Sequence, residues 1–313
     1  MVTMSRRSGR VLLPLSAVLL VFLLASCSVN RIAVRMVSGA LTSGNSSAFT
    51  SDDDPQLVGN ALPFALKLYE VLIMQDPKNA QLLLTTGSLF VVYANAFLQQ
   101  PADMLPDTEY QKQNDLRHQA KLLYLRGRDY VMRGLDVLHP GFTEGLKPPA
   151  LETQLAKMGT KDVPYLFWAA AGWAGAYALD PFDFKLAVTI NEPVAMMERA
   201  RALDPGFQDG AIPDFFITYY ASAPSSLGGS MAKSKAAFAE ALALTKGRSP
   251  APYVAYAQSI AVAEHDRKGF TEMLKKALAI DPNADLQNRL ETVLSQQKAK
   301  WLLDHIDDYF LSP

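Results

Sequence analysis

"MERARALDPGF" (197–207) and "MLKKALAIDPN" (273–283) end alike, in an apolar helical run closed by Leu/Ile-Asp-Pro. A residue before proline is pushed out of the helical region, so neither helix continues through its aspartate. Asp76-Pro77 and Asp180-Pro181 carry the same stop. Upstream of Asp76, Leu68, Tyr69, Leu72 and Ile73 share one face while Lys67 and Glu70 turn away. A new helix is expected near Asn79, carrying Leu82, Leu83, Leu89, Val92 and Tyr93. No stretch sustains the apolar–polar alternation of a half-buried strand. The chain reads as all-α.

The Asp-Pro phrase resembles the end of a tetratricopeptide repeat, a helix pair of about 34 residues whose second helix closes on proline. Counting back from Pro282 puts Ala277, Leu274 and Phe270 at that helix's packing positions, and Ala257 and Ala261 on the helix before it. Phe270 is large where alanine is usual. From Pro205, Ala200 and Met197 fit, but Asp180-Pro181 interrupts the place of the partner helix. The four stops are spaced 104, 24 and 77 residues apart, and inserts such as "QQPADMLPDTEY" break the period. The expectation is a degenerate TPR-like superhelix of about ten helices, whose pairs must stack to cover their apolar faces. The last segment, with Leu290, Val293, Trp301, Leu302 and Leu303, is expected to cap the stack.

The N-terminus has a different grammar. Arg6, Arg7 and Arg10 precede the apolar run Val11 to Leu24, which has signal-peptide proportions and is short for a bilayer span. Gly9 stands where twin-arginine export prefers a bulky apolar residue, which favours ordinary Sec export. Leu24-Ala25-Ser26-Cys27 resembles a lipobox, with cleavage before Cys27 and lipidation of its thiol; an uncleaved anchor or a buried helix is the alternative. The organisation reads as 1–26 signal peptide, 27–60 lipidated Cys27 with a short helix and polar tether, and 61–313 helical domain. Within the tether, Asp52 to Asp54 lack the spacing and glycine of an EF-hand and read as a capping run before Pro55. Cys27 is the single cysteine, so the mature chain has no thiol for disulfides, metal ligation or nucleophilic catalysis. Loss of three arginines shifts the formal net charge from −1 to −4. With no basic run, nucleic acid is not expected as a partner.

Catalytic constellations are scarce. His118, His139, His265 and His305 show no metal-ligand spacing, and no HExxH, GxSxG, GxGxxG or P-loop occurs. No cofactor or metal is expected, and the chain is not read as an enzyme. Ser230-Met231-Ala232-Lys233 has the SxxK spacing of penicillin-binding proteins but lacks the SDN and KTG companions. Ser230 reads better as the N-cap of a helix with Phe238, Ala241 and Leu242. "SSLGGS" (225–230) is a flexible turn or, less simply, an anion cradle.

Aromatic residues crowd two segments. Trp168, Trp173 and Tyr177 lie among alanines and glycines in "YLFWAAAGWAGAYALD", and Phe215 and Tyr219 lie in "PDFFITYYASA". Small residues let helices approach closely, so ordinary core packing is the plain reading. The alternative is that Trp168, Trp173, Tyr177, Phe215 and Tyr219, with Tyr93, line an apolar groove or pore.

"DDDPQLVGNALPFALKLYEVLIMQDP", "YLRGRDYVMRGL", "FWAAAGWAGAYALD", "ERARALDPGFQDGAIPDFF" and "RLETVLSQQKAKWLL" together resemble the TatT family. These are TPR-like lipoproteins associated with tripartite ATP-independent periplasmic (TRAP) transporters. The resemblance runs in order through the mature chain. It implies a periplasmic, lipid-anchored accessory that partners the TRAP substrate-binding protein. It also implies a homo-oligomer, with a trimer suggested, and handling of a small, possibly hydrophobic ligand. The family supplies no catalytic residues. The alternative is a TPR lipoprotein scaffold for envelope assembly, with no small-molecule ligand.

Overall fold

A computed structural model describes residues 47–310. The proposed signal peptide, Cys27 and the short helix after it lie outside the described residues. The long helices are α1 Pro55–Gln75, α2 Ala80–Tyr93, α3 Tyr110–Leu138, α4 Val163–Leu179 and α5 Asn191–Leu203. They continue as α6 Ala211–Ser222, α7 Met231–Thr245, α8 Ala251–Ala255, α9 Arg267–Leu278 and α10 Arg289–Asp304. α2 and α8 each run on through a π turn, Ala94–Gln99 and Tyr256–Ala261. No strand occurs among the described residues. The fold is all-α.

The stops fall where the prolines put them. Asp76, Asp180 and Asp204 are the C-cap residues of α1, α4 and α5. Asp204 Oδ1 accepts from the Gly206 amide at 3.2 Å, and Asp281 Oδ1 from Asn283 at 2.9 Å, so the aspartate turns the chain that proline has broken. Short polar side chains start the helices. Asp54 accepts from the amides of Gln56 and Leu57, Asn79 from Leu82 and Asp266 from Gly269. Because Asp54 and Pro55 supply the cap and first turn, α1 crosses the 60/61 position at which the sequence divides tether from domain. Leu68 departs from its expected face. The buried arc is Leu62, Leu66, Tyr69 and Ile73, and Leu68 is 40% exposed.

Each helix packs against the next, and the tightest packing is at α2, α3 and α4. A Cβ on Gly87 would lie 2.6 Å from the Gly127 carbonyl, and one on Gly127 2.7 Å from the Gly87 carbonyl. Close by, a Cβ on Gly172 would lie 2.9 Å from the Tyr124 carbonyl and 3.0 Å from Val91 Cγ2. The alanine- and glycine-rich stretch of α4 therefore serves close approach, and Ala169, Ala170 and Ala176 are fully buried. Farther along, Met196, Met197, Ile212, Phe216 and Ile217 fill the largest core. Ala257, Ala261, Phe270, Leu274 and Ala277 are all fully buried in a second core with Leu302. The large Phe270 is accommodated edge-on to Phe310, ring centroids 5.2 Å apart.

α10 does more than cap the end of the stack. Leu290 and Leu294 pack with Val58, Leu62, Leu89 and Phe97, and Gln100 Nε2 donates to the Leu294 carbonyl at 3.0 Å. Arg289 pairs with Asp53. The last long helix thus returns to the first two, and the stack closes into a ring. Two helices, Pro55–Gln75 and Ala80–Asp103, are long and apolar enough to cross a membrane by length and composition. The second is engaged on both flanks, by α1 and α3. Gly87→Ala should lower stability by about 1–3 kcal/mol although alanine is the better helix former, because a backbone carbonyl cannot move aside. Urea unfolding monitored by circular dichroism checks this.

Candidate functional site

All six expected aromatic positions, Tyr93, Trp168, Trp173, Tyr177, Phe215 and Tyr219, are half-buried. Each therefore keeps one side on the core and one side accessible. Tyr93, Trp168, Trp173 and Tyr177 pack against a cluster formed by Val91, Ala94, Tyr124 and Ala176. Phe215 and Tyr219 pack against the largest core, and Trp168 and Trp173 touch both clusters. Apart from Tyr93 on α2, the six lie on α4 and α6. Burial raises the Tyr219 hydroxyl, and Glu198 and Tyr177 raise it further. The Phe215 and Tyr219 rings stack at 5.9 Å, and the Tyr219 hydroxyl donates to the Leu227 carbonyl.

Trp173 and Tyr93 are tied into the frame as well. Trp173 Nε1 donates to Thr189 Oγ1 at 3.2 Å, and the Arg128 guanidinium lies 5.0 Å from the centre of its ring. Tyr93 stacks on Phe97 at 5.7 Å, next to the closure with α10. Trp168, Tyr177, Phe215 and Tyr219 are left as the apolar side chains that a small molecule could meet.

Local periodicity does not show the polar groups beside them. In the π turn of α2, the Tyr124 hydroxyl donates to Gln99 Oε1 at 2.7 Å and accepts from Asn95 Nδ2 at 3.0 Å. Asn95 and Gln99 are four residues apart and share one helix face, which brings both amides onto one tyrosine. Asp214, on the first turn of α6, has a buried Oδ1 with no hydrogen-bond partner among the described residues. Burial, and then Glu291, push its carboxyl up to about 7. Glu291 on α10 is raised by its protein surroundings and by Asp209 and Asp285, yet its side chain is exposed. Lys298, farther along α10, is lowered by burial and partly restored by Asp103 at the end of α2. In sequence, Asp214 and Glu291 each read only as an acidic residue suited to a helix N-terminus.

The other sequence candidates have ordinary roles. Ser230 caps α7, its Oγ accepting from the Lys233 amide at 3.4 Å. The Lys233 ammonium lies over the Tyr220 ring at 5.3 Å, engaged away from that hydroxyl. The "SSLGGS" turn spends its amides on protein. Gly228 donates to Ser225, Gly229 to Pro224 and Ser230 to Tyr220, which leaves no anion cradle in those three groups. His139 Nε2 lies 2.8 Å from Asp162 Oδ1, and His305 stacks on Trp301. Open grooves of about 250 Å³ along Leu122, Arg126 and Tyr130, and of about 620 Å³ at His139, Lys157 and Asp162, contain none of the six aromatics.

Asp214 makes stability depend on pH. Its folded-state pKa lies above the ordinary 3.8, so its stabilising contribution is complete below about pH 4 and is lost as pH rises through about 7. Asp214→Asn should raise the melting temperature by a few degrees at pH 8 and leave it nearly unchanged at about pH 4, read by differential scanning calorimetry.

The family model for the TRAP transporter T-component matches residues 51–310, the whole closed ring. A protein of Treponema pallidum (strain Nichols), described as uncharacterized, is 38% identical over 305 residues, covering 92% of this chain and 94% of its own length. The matched span includes α4, α6 and α10, which carry most of the half-buried aromatics, Asp214 and Glu291. The chain belongs to the T-component family of TRAP transporters.

Proposed function

We propose that this protein is a periplasmic accessory of a TRAP transporter that docks the substrate-binding protein and helps pass a small, apolar ligand. The observation that carries this reading is the family match across the entire ring. Cys27 holds the mature chain at a membrane through its acyl chains, each contributing about 0.8 kcal/mol per buried CH₂. The TPR-like stack acts as a rigid docking platform without catalysing a reaction, and copies of it self-associate, with a trimer the form that the resemblance suggests. Trp168, Tyr177, Phe215 and Tyr219 supply the apolar contacts for the ligand, with Trp173 and Tyr93 holding the frame around them. Half-buried aromatics suit a transfer surface, because they bind apolar groups without enclosing them.

The test uses the soluble form beginning at Ser28 and the TRAP substrate-binding protein of the same organism. Sedimentation velocity should show a defined complex at micromolar concentrations, and native mass spectrometry should detect a retained small molecule. Absence of a complex, with no molecule retained, would replace this reading with that of an envelope-assembly scaffold.

A further inference from the structure

α1 has two apolar faces and the ring uses one. Val58, Leu62 and Leu66 are buried within the ring. On the far side Leu57, Phe64, Leu68, Val71 and Met74 are 58, 76, 40, 54 and 77% exposed. Leu57, Ala61, Phe64, Leu68 and Val71 recur at the alternating four- and three-residue spacing of a helix–helix seam, in which each side chain enters a gap on a facing helix. We propose that this seam is where a second copy of the chain packs. The inference rests on the self-association stated above and assigns it to one face.

Three observations favour another copy over other occupants. The exposed side chains present about 600 Å² of apolar surface, the upper end of what a monomer leaves bare. Covered by a like area of a second copy, they would bury ~1,200 Å² in total, where specific interfaces begin. The exposed polar residues along the same helix are Gln56, Asn60, Lys67 and Gln75, and Lys67 is already paired with Glu70 at 2.7 Å. A helix that lies on an anionic lipid surface carries a basic polar face. This one has a nearly neutral amide border, as the polar rim of a protein interface does. Finally, a regular four–three seam matches the fixed relief of a helix, whereas fluid acyl chains require no register.

The experiment compares the full chain with a Phe64→Glu/Leu68→Glu double variant, each expressed with its leader and extracted in a mild non-ionic detergent. Far-ultraviolet circular dichroism should show the helical content unchanged, as expected for substitutions at exposed positions. Sedimentation velocity should show an oligomer for the unaltered chain and a monomer for the variant. In intact membranes, Leu68→Cys should give a covalent dimer with a short bismaleimide, whereas Lys300→Cys, on exposed α10 surface, should give none. An oligomer that survives the double substitution would overturn the assignment of this face while leaving self-association intact. An unaltered chain that is monomeric in detergent and gives no Leu68→Cys dimer would overturn both. Binding of the Cys27→Ser chain to phosphatidylglycerol vesicles that the double substitution abolishes would assign the seam to lipid and overturn the proposal. Binding of the TRAP substrate-binding protein is measured separately, and its loss in the variant with the oligomer unchanged would likewise overturn it.

Discussion

Three helix backbones come into near contact where Gly87, Gly127 and Gly172 face neighbouring carbonyls, and the rest of the ring is built outward from that crossing. Helices normally pack with axes about 8–10 Å apart, set by the side chains between them. Here the two glycines leave the methyls of Val91 and Val131 beside the facing carbonyls. The 29-residue α3 is then gripped on both flanks. Arg117 pairs with Asp103 at 3.0 Å toward α2, and Lys121 pairs with Asp180 and Asp183 at 2.8 and 2.7 Å at the end of α4. Lys121 is held protonated first by its hydrogen bonds to those carboxylates. The end of α4, which carries Tyr177, is thereby fixed.

Much of the helical content was legible because each helix carries its own punctuation. The Asp-Pro stops, the Asp54, Asn79 and Ser230 caps and the four-residue apolar spacing are local signals, and they act locally in the structure. Closure of the ring was not legible. It depends on Gln100 meeting Leu294 and on Arg289 meeting Asp53, contacts 194 and 236 residues apart in sequence. Periodicity reports which face of a helix is apolar and not which helix will cover it, which is why α10 reads as a simple cap. For the same reason Leu68 was assigned to the buried side of α1. That helix is apolar on two sides, and only the tertiary neighbours decide between them.

The candidate site divides along the same line. The aromatic clustering on α4 and α6 is visible as composition, and the structure gives all six residues half-buried positions. Their polar company could not be read in advance. Asp214 and Glu291 are ordinary first-turn carboxylates in sequence, and their raised pKa values come from the protein that the closure wraps around them. The Asn95 and Gln99 amides share a helix face, but which tyrosine they meet is set by tertiary packing 25 and 29 residues away.

Hydrogen exchange with mass spectrometry, comparing the protein alone and with its TRAP substrate-binding protein, tests the central claim most directly. Slowed exchange concentrated on residues 163–179 and 211–222, which carry Trp168, Tyr177, Phe215 and Tyr219, is the result expected if ligand passes at that surface. A complex that forms with protection confined to other helices, leaving those two segments unchanged, would contradict it.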